Sequence, residues 1–191
     1  RVPVYVDSPL TVKLTDVFRL HPECYDKETA LLLRGADSPF DFDGLRYVSE
    51  VEESKAIDAE QGPAVVISAS GMCEGGRVLH HLQASIGDPR NTVLIVGFQA
   101  QHTLGRRLVE HRESVRIFGL MREVGAEVVV LDGFSAHADQ QGLVAFASEA
   151  VRKGAPRDVI LVHGEPPAQA ALAEQLEARA LSVKVHAPAM G

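Results

Sequence analysis

Five short runs share one plan: an apolar, β-branched stretch ending in small or polar residues just before a helix-like segment. They are PVYVDSP (3–9), PAVVISASG (63–71), TVLIVGFQ (92–99), EVVVLDGF (127–134) and DVILVHGE (158–165). Strands this uniformly apolar, separated by stretches of helical spacing, predict βαβ units and a parallel sheet covered on both faces. The fold class expected is therefore α/β. Helical spacing extends over 10–34 with an interruption at His21-Pro22, and recurs after residue 50, from about 78 to Gly87, over 103–111, 139–153 and 166–180. Ser8 followed by Pro9, Thr103 and Asp139 are placed to cap helices. From residue 115 the strands SVRIFG and AEVVVLDG come closer together, and a soft boundary is expected near residue 124.

With 191 residues, 46% of them apolar and 24% charged, the chain is long enough to bury a real core. The net charge of −7 offers no global basic field for a nucleic acid, so any such contact is confined to a local cleft. No apolar run approaches the ~20 residues of a membrane-spanning helix. Cys24 and Cys73 form no CxxC pair and read as reduced thiols in a cytoplasmic protein. The chain opens on a strand, without methionine or leader, which reads as a piece of something longer.

Ligands of open parallel sheets sit beyond the carboxyl ends of the strands. The stretches occupying that position are DSP (7–9), SASGMCEGGR (68–77), GFQAQHTLGR (97–106), GFSAHAD (133–139) and VHGE (162–165). The second is Gly-rich and precedes a helix, so its N–H groups suit a phosphate. It is neither a P-loop nor GxGxxG, and taken alone it reads more readily as a tight turn with Arg77 on a solvated helix face. The third carries the same two readings, with Thr103 as cap and Arg106 or Arg107 as phosphate partner.

His137 and His163 stand in successive strand-end loops among small residues. Histidine there suits a structural hydrogen bond, zinc ligation or proton transfer. His80 and His81 lie about 100° apart on a helix and cannot face one site, so both read as structural. His21, His102, His111 and His186 show no partner pattern. A catalytic zinc takes about three protein ligands, and neither HxHxDH nor HExxH is present.

Taken in order, VYVDSPL, ISASGMCEGGR, DPRNTVLIVGFQAQHTLGRRL, DGFSAHADQQGL and VILVHGE resemble the β-CASP branch of the metallo-β-lactamase superfamily. That branch includes the 73-kDa subunit of the cleavage and polyadenylation factor and, more distantly, ribonuclease J. The resemblance implies a parallel-sheet β-CASP domain over 1–124, lacking its N-terminal part, and the C-terminal segment of an αββα metallo-β-lactamase domain over 125–191. It further implies a zinc-dependent ribonuclease hydrolysing RNA phosphodiesters, with two zinc ions in the intact enzyme. His137 matches the motif B histidine, a proton donor at the scissile phosphate. His163 matches motif C, a ligand of the second zinc. Ser70, Gly71, Arg77, Gln99, Thr103, Arg106 and Ser135 would face the RNA.

Upstream metal motifs of that family are absent from these residues, so the chain by itself is expected to be inactive and to bind zinc weakly. RNA is the implied partner, with a homodimer as a further expectation and no membrane. Two other readings stand beside this one. One is a metal-free RNA-binding or scaffold relative; the other is a nucleotide-binding α/β domain using the Gly-rich loops.

Overall fold

A computed structural model of the chain describes residues 1–34, 38–134, 137–154, 156–179 and 183–188, the side chains of Arg34 and Asp132 excepted. It divides into two compact units, Arg1–Ser135 and Ala136–Gly191. The described residues alternate helix and strand, as an α/β chain should.

In the first unit, β1 (Val4–Asp7) is the centre of a three-stranded parallel sheet, flanked by β2 (Leu45–Val48) and β3 (Val65–Ser68). Ser8 ends β1 and caps α1 (Pro9–Leu20), accepting the Thr11 N–H at 3.3 Å, with Pro9 preset at the first helical position. Helix α2 (Lys27–Arg34) follows a 3-10 turn at Pro22–Cys24, where the proline breaks the longer apolar pattern. Helix α3 (Val51–Ala59) crosses from β2 to β3, and α4 (Val78–Ser85) leaves β3 through the Gly-rich loop.

Next come β4 (Thr92–Ile95), α5 (Leu104–Val109), the strands β5 (Ser114–Ile117) and β6 (Leu120–Glu123), and β7 (Glu127–Val130). β7 runs parallel to β4, pairing Thr92 with Glu127, so it joins the first unit although it lies beyond residue 124. β5 and β6 form an antiparallel hairpin whose strand-like second half had no clear sequence signal. Its two loop residues, Phe118 and Gly119, sit at φ 49° and 79°, the positive values a type I′ turn requires. The larger core gathers Leu82, Ile86, Ile95, Leu104, Leu108, Val115 and Ile117 from α4, β4, α5 and β5. A smaller one joins Tyr5, Val48 and Ile57.

The second unit holds α6 (Gln140–Gly154), β8 (Asp158–Ile160), α7 (Pro166–Glu177) and β9 (Lys184–His186). β8 and β9 pair in parallel, and α6 packs against α7. Asp139 caps α6 as expected, its Oδ1 accepting the Gly142 N–H at 2.7 Å. His186, which had shown no partner pattern, meets Asp158 Oδ1 at 2.7 Å.

One expectation needs correcting. β1 is covered on both faces, but β3, β4 and β8 alternate, leaving Ile67 52%, Leu94 51% and Ile160 61% exposed. A wholly apolar strand records two faces that can be covered, whereas the described residues cover one. Among them, no helix is long and apolar enough to cross a membrane. Cys24 is exposed and Cys73 buried, and both are free thiols.

Candidate functional site

The last residues of β1 and β3, Asp7 and Ser68, are register partners, and Ser68 Oγ donates to the Asp7 carbonyl at 2.9 Å. The strand order β2-β1-β3 sets the end of β1, which feeds α1, beside the end of β3, which feeds α4. The crevice there is filled by the protein itself. Asp7 is fully buried, and its carboxylate accepts from Ser54 Oγ at 2.5 Å, from His81 Nε2 at 2.7 Å and from the Arg77 guanidinium. Burial would raise the Asp7 pKa, but the hydrogen bonds from Ser54, Arg77 and His81 together with the Arg77 charge outweigh it and hold the carboxyl below its ordinary value. His81 Nδ1 meets Asp58 Oδ1 at 2.6 Å, so the imidazole bridges two carboxylates.

Arg77 therefore lies neither on a solvated face nor open to a ligand from every side. Its side chain is 15% exposed, and it also donates to the carbonyls of Val48 and Ser49. His80, the neighbour expected to point elsewhere, does so and packs against Phe118, with ring centroids 4.8 Å apart and the rings tilted by 41°. Sequence reasoning missed Asp7, Ser54 and Asp58 as a unit. The one available signal was an aspartate closing an otherwise apolar strand.

A second cluster forms where β3 and β4 end. Gln99 is buried and donates from Nε2 to the carbonyls of Gly71 (2.9 Å) and Gly97 (3.1 Å), tying the 68–77 loop to the 97–106 loop. The Gly105 N–H reaches the Met72 carbonyl at 3.1 Å, Glu74 Oε1 accepts the Leu104 N–H, and Thr103 Oγ1 accepts the Arg106 N–H at 3.1 Å. Ser70 lies in the same loop, its N–H bonded to the Gly75 carbonyl at 3.0 Å. The structure thus brings Ser70, Gly71, Gln99, Thr103 and Arg106 into one welded pair of loops, while Arg77 turns away to Asp7.

The weld changes the phosphate-cradle expectation. The first N–H groups of α5 are already satisfied by Glu74, Met72 and Thr103, and the Val78 N–H of α4 by the Ala69 carbonyl at 3.1 Å. Anion binding here would fall to side chains. Arg106, Arg107 and Arg112 line a surface depression with His102, where Glu110 is the one carboxylate in the lining, bonded to Arg106 Nε at 2.9 Å.

In the second unit, His137 is exposed in the bend before α6. His163 is exposed too, at φ 67°, followed by Gly164 at φ 120°, and its carbonyl accepts from Gln169 Nε2 at 3.4 Å. Left-handed backbone is sparsely used by residues other than glycine and recurs at functional loops. Ser135 lies outside the described residues. Among the described residues no three His, Cys, Asp or Glu side chains converge as a metal centre would need. These residues offer zinc His163 alone as an expected ligand and do not by themselves fit such a centre, so no catalytic step below passes through a metal.

Against known proteins, residues 1–108 match the Beta-Casp domain family. The chain belongs to the β-CASP family. Residues 121–188 of this β-CASP chain match the Zn-dependent metallo-hydrolase RNA specificity domain. Ribonuclease TTHA0252 of Thermus thermophilus is 37% identical over 97% of the chain and 42% of its own length. Transcription termination factor FttA of Methanosarcina mazei is 31% identical over 95% of the chain and 30% of its own length. An RNase J-like protein of Methanocaldococcus jannaschii is 30% identical over 86% of the chain and 36% of its own length. The chain thus spans less than half the length of each.

Proposed function

We propose that this chain is the substrate-facing part of a metal-dependent ribonuclease, with residues 1–124 as its β-CASP portion and 125–191 as the closing segment of its metallo-hydrolase domain. The observation that carries the reading is the match of residues 121–188 to an RNA specificity domain of Zn-dependent metallo-hydrolases, with two exposed strand-end histidines inside it. The name of the Thermus relative points the same way.

In this reading His137 donates a proton to the leaving oxygen of an RNA phosphodiester, the part of a general acid. His163 serves as a zinc ligand, completed by residues outside this chain. Ser70, Gly71, Gln99, Thr103 and Arg106 form the wall along the RNA, with Gln99 holding its two loops in register and Arg106 supplying charge. Arg77 works behind that wall by pinning Asp7. Ser135, in the same motif as His137, belongs with the substrate contacts.

Two variants in the full-length polypeptide test the roles. His137→Ala should lower kcat by ~10²–10⁴-fold with bound zinc unchanged. His163→Ala should reduce zinc content, read by metal analysis independently of turnover. Unchanged rate and zinc in both variants would remove the assignment. The 191-residue chain alone should show no chelator-sensitive RNA hydrolysis.

The nucleotide-binding reading at the Gly-rich loops is less favoured, because the N–H groups of Leu104, Gly105, Arg106 and Val78 that would cradle a phosphate are already bonded within the protein.

A further inference from the structure

α3 and α4 flank a groove of about 470 Å³ that Arg77 and, from β6, Arg122 also line. Its polar lining consists mainly of Lys55 and Asp58 from α3, Arg77, His80 and Gln83 from the α4 region, and Arg122 from β6. Three cations line it beside one carboxylate; Lys55 is paired with Glu52 and Arg77 with Asp7, which leaves Arg122 as the cation with no ion pair among the described residues. That carboxylate is already engaged, since Asp58 Oδ1 lies 2.6 Å from His81 Nδ1.

Arg122 is the informative residue. It stands opposite Val115 in the hairpin, and directly opposed residues of an antiparallel pair project from the same face. Val115 is in the core, so the Arg122 stem follows it inward and its head emerges at the groove. Its Nε is shielded from water and has no hydrogen-bond partner in the structure. A buried guanidinium N–H without an acceptor is costly, and none of the groove's own acceptors, Asp58, Gln83 or His80, takes it up. Among the described residues Lys55 is bound to Glu52, at 2.8 Å, in an exposed pair that exchanges readily with solvent or ligand. Arg77 is fixed from behind by Asp7, so its charge is preorganised. The volume lies within the range of small-ligand sites.

We infer that this groove is an anion site for a phosphoryl group, taken from a free nucleotide or from a nucleic-acid strand, with Arg122 and Lys55 as its contacting cations. The inference does not depend on hydrolysis, because neither His137 nor His163 takes part in it.

Isothermal titration of the chain with inorganic pyrophosphate, with AMP and with a ten-nucleotide oligoadenylate tests it. Saturable binding is expected, weakened about tenfold by Arg122→Gln and by Lys55→Gln and unchanged by Arg152→Gln on α6. If the strand is the natural source, oligoadenylate binds more tightly than AMP, and its log–log salt slope falls by about 0.7 per cation removed. If a free nucleotide is the source, AMP binds at least as tightly. Should Arg122→Gln lower the melting temperature, Lys55→Gln decides, since its ammonium is exposed. No saturable binding in the wild type, or equal weakening by Arg152→Gln, overturns the inference. Cleavage is not read in any arm, so the ribonuclease reading can fail without touching this result.

Discussion

Asp7 shows how much a single side chain can carry. It is buried, anionic and held by three donors from α3 and the α4 region. Asp7→Asn would leave Arg77 and His81 facing a neutral amide, and losing one partner of a buried ion pair costs roughly 3–5 kcal/mol. Thermal melting at neutral pH should register that loss. The pH dependence follows from the sign of the shift. With its folded pKa below the ordinary 3.8, Asp7 adds stability above that value, and the contribution disappears as pH falls through the folded pKa. Wild-type stability should therefore drop steeply below about pH 4, whereas Asp7→Asn should show a shallower slope there; parallel slopes would refute the role. Cys73 offers a second residue-scale test. Burial, aided by the adjacent Glu74 charge, pushes its thiol up to about 11. A thiol reagent at pH 8 should label exposed Cys24 at once and Cys73 only after unfolding; rapid labelling of both would contradict the burial. None of this was written in the neighbourhood of Asp7. Arg77 and His81 lie 70 and 74 positions away, and each taken alone reads as an ordinary helical residue.

At the scale of elements, caps and turns were the readable part. Ser8, Thr103 and Asp139 each bond an N–H three residues on, because the capping geometry involves only neighbours in sequence. Asp139→Ala should cost about 1 kcal/mol through α6, detectable as a lower melting temperature that Asp139→Asn largely restores. The weld between the two loops was not readable in this way. It shows instead in Gly105, where an added Cβ would lie 1.7 Å from Gln99 Oε1 and 3.2 Å from the Met72 carbonyl. Alanine ordinarily favours a helix by about 1 kcal/mol over glycine. Here Gly105→Ala should destabilise by about 1–2 kcal/mol instead, because Gln99 is buried and would have to abandon two carbonyls. Adding Gln99→Ala should make the pair strongly non-additive, and a simple sum of the two effects would show that the side chains do not compete. The β5–β6 hairpin escaped sequence reading for a related reason. Its turn is Phe-Gly, not Asn-Gly, and His80, 38 positions earlier, supplies the ring on which Phe118 rests.

At the scale of the whole molecule, the open faces of β3, β4 and β8 are the main surprise. Ile67, Leu94 and Phe98 in the first unit and Ile160 in the second are all exposed, and large apolar side chains left in water favour association. The chain should bind a hydrophobic dye in its native state and scatter light increasingly with concentration, and Leu94→Lys should reduce both. A dye-silent, concentration-independent wild type would mean these faces are covered in solution. The sequence by itself determined the α/β alternation, the strand-end loops with their two histidines, the helix caps and, through five ordered motifs, the β-CASP family. These signals lie within a few residues of one another, where periodicity, capping and turn chemistry act. Only the tertiary structure decided that Arg77 serves Asp7, that Gln99 ties two loops together, that Arg122 emerges beside α3 and α4, and which strand faces remain open. Each of those depends on contacts between residues tens of positions apart, and burial is a property of what surrounds a side chain.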